Sequence, residues 1–121
     1  MDADRNFFEV YQIEKLSHDE IDQKLASTSD LVCFFLWGKD CPNCEVAKKV
    51  LIDRKDDVEN LKLRWFHADV YQDFEIATHF GLIGIPTFLF FKNGKKLGKI
   101  SPFPGFDSFY EAVKKLQTLE I

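Results

Sequence analysis

The chain has 121 residues, 45% of them hydrophobic, which is enough for one domain with a substantial core. Its formal net charge is −4 and it shows no basic patch, which argues against nucleic acid as a main partner. No apolar run approaches the roughly 20 residues of a membrane-spanning helix, so we expect no membrane association.

The N-terminal segment is less clearly patterned than the rest of the chain. Residues 1–10 form no clear element, although Phe7 and Phe8 could pack an extra turn onto the domain. A short strand is predicted over 12–15. The acidic, polar residues 1–5 do not resemble a signal or transit peptide, so we expect a protein that is made and kept in the cytoplasm.

The first predicted helix is followed by a long apolar strand. Ser17 and Glu20 have the spacing of a capping box, which predicts a helix with Ser17 as its N-cap that runs to about Ala26. Residues 31–37 then form a continuous apolar run between polar residues. Such a run is typical of a strand buried on both faces.

Two cysteines lie at the next junction. Cys41 and Cys44 stand between this strand and the start of a helix whose apolar spacing runs from Glu45 to about Arg54. Lys48 and Lys49 fall inside that helix and are expected on its solvated face.

The remaining patterns alternate between strands and helices. They predict a strand over 61–70 and a helix over 73–80. A hairpin follows, in which the Asn93-Gly94 turn joins strands 87–91 and 95–100, and Asp107 caps a final helix. The order β-α-β-α-β-α-β-β-α combines parallel crossovers with a hairpin. It predicts an α/β fold over 1–121, one domain with a mixed central β-sheet flanked by helices on both faces.

The spacing of the cysteine pair suits thiol chemistry. Two sulfurs three residues apart on a helix lie on one face. The free N–H groups and positive dipole of the helix start stabilise a thiolate on Cys41. Cys41 could therefore attack a substrate disulfide, and Cys44 could resolve the mixed disulfide that forms. Pro42 falls in the first turn, where its missing N–H costs no hydrogen bond.

A zinc site is the alternative interpretation of the pair. Structural zinc takes four ligands, and the remaining candidates lack the usual paired spacing: Cys33, His18, His67 and His79. The strand-to-helix context favours redox chemistry instead. The small, odd number of cysteines fits a reducing compartment better than a secreted disulfide scaffold.

Two segments resemble the active-site motifs of the thioredoxin family. They are residues 35–44, FLWGKDCPNC, and residues 80–94, FGLIGIPTFLFFKNG. The resemblance extends from about Gln12 to Leu119. It implies the thioredoxin fold and a thiol-disulfide oxidoreductase that reduces protein disulfides, with a redox-active Cys41–Cys44 disulfide and no bound cofactor.

The resemblance also implies roles for residues outside the cysteine pair. Pro86 matches the family's cis-proline, which faces the two cysteines. The backbone of Ile85 would then pair with the extended substrate chain, and Trp37 would pack beneath the active site. The implied partners are disulfide-containing proteins and a flavoprotein thioredoxin reductase or its equivalent, and we expect a monomer.

Five residues depart from the family pattern. Pro42 and Asn43 stand between the cysteines in place of Gly-Pro, which predicts a less reducing couple. Asp40 replaces a Trp; its carboxylate could cap the helix and should oppose a thiolate on the next residue. Phe35 replaces a buried Asp, and His67 replaces its Lys partner. His67 could accept a proton near neutral pH, or it could be a strand histidine with no catalytic part.

Three functions therefore stay open. The first is a general protein-disulfide reductase. The second is a specialised or glutathione-coupled thiol oxidoreductase with few targets, although the Gly-Gly-x-Asp of glutaredoxins is missing after the Pro86 segment. The third is a non-enzymatic binding module with a thioredoxin fold, which the intact cysteine pair argues against.

Overall fold

A computed structural model describes residues 3–119, with side chains described from Phe7 onward. Five strands form one sheet: β1 (Glu14–Lys15), β2 (Val32–Trp37), β3 (Arg64–Asp69), β4 (Thr87–Lys92) and β5 (Lys95–Ile100). Their spatial order is β1-β3-β2-β4-β5, with β1, β2 and β3 parallel and β4 and β5 antiparallel to their neighbours. The predicted mixed central sheet is confirmed.

Helices cover both faces of this sheet. They are α1 (Ala3–Val10), α2 (Ile21–Leu25), α3 (Pro42–Asp53), α4 (Lys55–Asn60), α5 (Phe74–Phe80) and α6 (Phe106–Gln117). One core cluster joins the sheet to α1, α3, α4 and α6, and a second joins it to α2 and α5. Within the part of the chain described, no helix combines the length and apolar character needed to cross a membrane.

Strand β2 runs through the middle of the core. Successive side chains of a strand point to opposite faces, so Phe34 contributes to one core cluster and Phe35 to the other. Both side chains are fully buried. This placement explains why the apolar run of β2 is continuous rather than alternating.

Two helices were not predicted. α1 stands where only an extra turn was suggested, and Phe7 packs onto the domain as expected: it is fully buried, with its ring centre 5.3 Å from that of Phe35. α4 is polar and buries Val58. β3 spans Arg64–Asp69 and is shorter than the predicted 61–70, because α4 ends at Asn60 and Leu61 lies in the turn that follows.

Two predicted helix caps were wrong. The N–H of Ser17 does donate to Glu20 Oε1 at 2.8 Å, but residues 18–20 form a turn and α2 begins at Ile21. The hydroxyl of Ser17 donates to the carboxylates of Asp19 and Glu20, and the N-cap of α2 is Glu20 rather than Ser17. At α6 the N-cap is Gly105, and Asp107 lies in the first turn.

Candidate functional site

The Cys41–Cys44 pair lies beyond the carboxyl end of the central strand β2. Residues 38–40 turn the chain, Cys41 takes an extended conformation as the N-cap of α3, and Pro42 is the first helical residue. The two Cα atoms are 5.2 Å apart and the sulfurs form a disulfide. The predicted strand-to-helix junction is confirmed, with the helix beginning at Pro42.

The two sulfurs differ in exposure and in hydrogen bonding. Cys41 is half-buried, whereas Cys44 is fully buried. The backbone N–H of Cys44 donates to Sγ of Cys41 at 3.2 Å, so Cys41 caps its own helix. Such a donor stabilises a thiolate on Cys41 once the disulfide is reduced. Between them, Pro42 and Asn43 are exposed and leave Cys41 open to solvent.

The Ile85–Pro86 peptide bond is cis, as the resemblance implies. Pro86 immediately precedes β4, and Thr87 pairs with Leu36 near the end of β2. Because these strands are antiparallel, the start of β4 lies at the same edge of the sheet as the residues that follow β2. Pro86 is buried and Ile85 is half-buried at this edge.

Tyr71 is a site residue that the sequence reasoning missed. A Cβ atom at Gly38 would lie 2.5 Å from the Tyr71 ring and 2.8 Å from Cδ1 of Ile85. The absence of a side chain at Gly38 thus lets Tyr71 and Ile85 close over the turn that leads to Cys41. Since Tyr71 is 65% exposed, its ring also faces solvent next to this turn.

The prediction that Asp40 could cap α3 was wrong, because the N-cap is Cys41 and its sulfur accepts the capping hydrogen bond. Asp40 is exposed and its φ of 63° lies in the left-handed region. Asp and Asn tolerate this conformation better than other residues with side chains. Its charge nevertheless stands one residue before Cys41, as the sequence reasoning assumed.

We expect Asp40→Asn to lower the pKa of Cys41 by about half a pH unit, because a like charge beside a thiolate disfavours it. Asn also keeps the left-handed backbone, which Ala would strain. The pKa is measured from the pH dependence of alkylation of the reduced protein. The effect should shrink at high salt, since the carboxylate is exposed. Asp53→Asn, at the far end of α3, is the control; an unchanged or higher pKa in Asp40→Asn contradicts the prediction.

His67 and Trp37 are hydrogen-bonded to each other. The indole N–H of Trp37 donates to Nδ1 of His67 at 3.0 Å, so that nitrogen acts as an acceptor and carries no proton. The ring of Phe8 stacks on His67 with 4.0 Å between ring centres, and His67 is 8% exposed. Protonation at Nδ1 would break the Trp37 bond. The proton-acceptor role of His67 stays a prediction. At Nδ1 it would compete with the hydrogen bond from Trp37.

Phe35 occupies a fully apolar position. Its ring centre lies 5.3 Å from that of Phe7 and 5.1 Å from that of Phe88. It pairs in register with His67 on β3. No ionisable group therefore stands where the family carries its buried Asp.

Lys48 contradicts its predicted placement on a solvated face. It is fully buried, while the neighbouring Lys49 is exposed. Helical spacing could have revealed this, since Lys48 lies four residues after Cys44 and three before Leu51 on one face of α3. The charge of the side chain masked the pattern.

Metal binding was the alternative chemistry for the cysteine pair. Within residues 3–119, no three His, Cys, Asp or Glu side chains are grouped so that they could hold a metal ion. The third cysteine, Cys33, is buried in β2, and burial raises the pKa of its thiol.

Comparisons by sequence relate the chain to known proteins. A family model described as Thioredoxin matches residues 12–115. A thioredoxin from Malassezia sympodialis is 30% identical over 84 residues, which cover 69% of this chain and 79% of that protein. A thioredoxin from Staphylococcus saprophyticus is 27% identical over 103 residues, which cover 85% of this chain and 96% of that protein.

Solved structures agree in fold. A mutant thioredoxin from Halobacterium salinarum matches with a TM-score of 0.71 at 19% identity, covering 89% of this chain and 95% of its own. The crystal structure of the Malassezia sympodialis thioredoxin matches with a TM-score of 0.69 at 25% identity, covering 85% and 89%. The expected thioredoxin fold is confirmed.

Proposed function

The chain belongs to the thioredoxin family, and from that membership we propose that it is a thiol-disulfide oxidoreductase that reduces protein disulfides. The observation that carries the proposal is the asymmetry of the pair. Cys41 is accessible at a helix start and receives an N–H donor, while Cys44 is buried one turn away. A nucleophile needs access and a stabilised thiolate, whereas a resolving thiol needs only to reach the first sulfur.

The reaction has two exchange steps. The Cys41 thiolate attacks one sulfur of a substrate disulfide, forming a mixed disulfide and expelling the other substrate sulfur as a thiolate, which takes up a proton. Cys44 then loses its proton and attacks Sγ of Cys41. The mixed disulfide breaks, the second substrate thiol leaves, and the Cys41–Cys44 disulfide forms. Two electrons thereby pass from the protein to the substrate.

Residues at the edge of the sheet would hold the substrate chain. Pro86 and the half-buried Ile85 lie at the same edge as the cysteine pair, and the backbone of Ile85 would pair with an extended substrate segment. Trp37 would support this surface from below through its bond to His67. These roles rest on the family's pattern together with the positions described above.

The proposed partners follow from the same chemistry. Each turnover leaves the Cys41–Cys44 disulfide, so a reductant must restore the dithiol. We assign this step to a flavoprotein thioredoxin reductase or its equivalent, acting in the cytoplasm on a monomer.

The experiment compares two reducing systems. We expect the protein to reduce insulin when it is coupled to NADPH and thioredoxin reductase, and to do so more slowly with glutathione and its reductase. Activity with the glutathione system and none with thioredoxin reductase would favour the specialised, glutathione-coupled alternative. Failure with both systems, for a protein whose thiols are accessible after chemical reduction, would leave the binding module as the function.

We expect the couple to be less reducing than thioredoxin, whose potential is about −270 mV. Pro directly after the first cysteine, as in Pro42, is a feature of glutaredoxins and periplasmic oxidants. The potential is measured by equilibration with glutathione buffers. Replacing both intervening residues, with Pro42→Gly and Asn43→Pro, should make the protein more reducing. A wild-type value at or below about −270 mV overturns this expectation.

A further inference from the structure

Lys48 is a fully buried lysine one helical turn after Cys44. Its Nζ lies 3.9 Å from the centre of the Trp37 ring, 5.2 Å from that of Phe8, and 2.9 Å from Oε2 of Glu45. Fully buried lysines are rare, because removing an ammonium from water is unfavourable unless other groups compensate. Here one carboxylate and two aromatic faces lie around the ammonium of Lys48 and compensate for its removal from water.

The ammonium of Lys48 is directed toward the first turn of α3. Cys44 and Lys48 are four residues apart, so their Cβ atoms lie about 5–6 Å apart on one helix face. Both side chains are fully buried. The Nζ of Lys48 reaches back to Glu45, the residue that follows Cys44. The positive charge is therefore held at the level of the cysteine pair.

We propose that Lys48 is a positioning residue whose buried ammonium stabilises the thiolate of Cys44 and so promotes the resolving step. The inference deepens the proposed disulfide exchange and rests on it. In that step the Cys44 thiol gives its proton to solvent, and its thiolate attacks Sγ of Cys41. The bond between Cys41 and the substrate sulfur breaks, and that sulfur leaves as a thiolate and takes up a proton.

Burial strengthens the effect of the Lys48 ammonium on the Cys44 thiolate. Charges interact more strongly away from water and are screened less by salt. The opposing charge of Glu45 sits on a side chain that is 43% exposed, so water weakens its influence on the buried sulfur. Titratable residues also lie on the elements packed around Lys48 and Cys44: Glu9, which follows Phe8 on α1, His67 and Asp69 on β3, and Asp40, which precedes Cys41.

The test measures the pKa of Cys44 directly. In a Cys41→Ser background, the Cβ chemical shift of Cys44 is followed against pH by NMR, where the buried Cys33 gives a separate signal. Lys48→Met removes the charge and keeps an unbranched apolar stem. We expect it to raise the pKa of Cys44 by about one pH unit.

A kinetic readout follows the resolving step itself. Thionitrobenzoate is loaded onto Cys41 of the protein with both cysteines, and its release by Cys44 is timed at pH 7. We expect about a three-fold slower release in Lys48→Met. The thiolate fraction falls about ten-fold for one pH unit, while the nucleophilicity of the more basic sulfur rises about three-fold.

Two variants separate charge from packing. Lys49→Met removes a charge from the exposed neighbouring position and should leave the Cys44 pKa unchanged, while Lys48→Arg keeps a cation and should hold it close to the parent value. An unchanged or lower pKa in Lys48→Met overturns the proposal, and so does an equal rise in Lys48→Arg or Lys49→Met. Should Lys48→Met fail to fold, Lys48→Gln replaces it.

The outcome is independent of the proposed reductase activity. If the wild-type protein fails to reduce insulin, the proposed function is wrong, while the pKa of Cys44 still tests the role of Lys48. If insulin is reduced and the pKa does not move, the role of Lys48 is wrong and the function stands.

Discussion

Cys41→Ser is expected to lower the rate of insulin reduction by at least about 1000-fold, because it removes the sulfur that attacks the substrate. Cys44→Ser should also stop turnover, but at the later step. The half-exposed Cys41 still attacks in that variant, and no second thiol releases the substrate. We therefore expect Cys44→Ser to accumulate covalent mixed disulfides, visible by mass spectrometry and lost on addition of a reductant.

The third cysteine provides the control for this prediction. Cys33 is fully buried in β2 and burial raises its thiol pKa, so it should not attack disulfides. Cys33→Ala should keep the rate of insulin reduction close to that of the wild type. Mixed disulfides that accumulate only with Cys41→Ser would reverse the assigned order of the two cysteines, and equal trapping by both variants would show that neither has a fixed role.

Phe35→Ala is expected to lower the free energy of unfolding by about 3–5 kcal/mol, since it leaves a cavity in the core. Phe35 is fully buried between Phe7 of α1 and Phe88 of β4. Its loss removes contacts to a helix and to the neighbouring strand at once. Urea unfolding, followed by circular dichroism of the oxidised protein, measures the change.

A matched truncation at the surface is the control for Phe35. Phe74 is 70% exposed at the start of α5, and Phe74→Ala should change the free energy of unfolding by no more than about 0.5 kcal/mol. A loss of less than about 1 kcal/mol in Phe35→Ala would mean that the core closes around the gap, contrary to the packing described.

The sheet was predictable because its signals are local. The apolar run of β2 and the Asn93-Gly94 turn each determine an element without reference to the rest of the chain. α1 has no comparable capping or turn motif; it is an eight-residue helix, too short to be stable alone, and Phe7 anchors it in the core. The N-cap of α6 was predicted wrongly because Asp107 and Gly105 are both acceptable N-cap residues, and the local sequence does not choose between them.

The cysteine pair and Pro86 could be placed from sequence because motif spacing fixes their elements. What surrounds them could not. The contact between Tyr71 and Gly38 depends on how two separate turns meet, and no local pattern encodes it. Burial of Lys48 depends on Trp37 and Phe8 arriving from other elements to cover the ammonium.

The close packing around Gly38 limits which residues can replace it and its neighbours during evolution. Any side chain at that position would push against both the Tyr71 ring and Cδ1 of Ile85. Positions 38, 71 and 85 should therefore evolve together. Among descendants of a common ancestor, large residues at 71 and 85 should accompany glycine at 38, and chains that acquire a methyl group at 38 should carry smaller residues at these two positions.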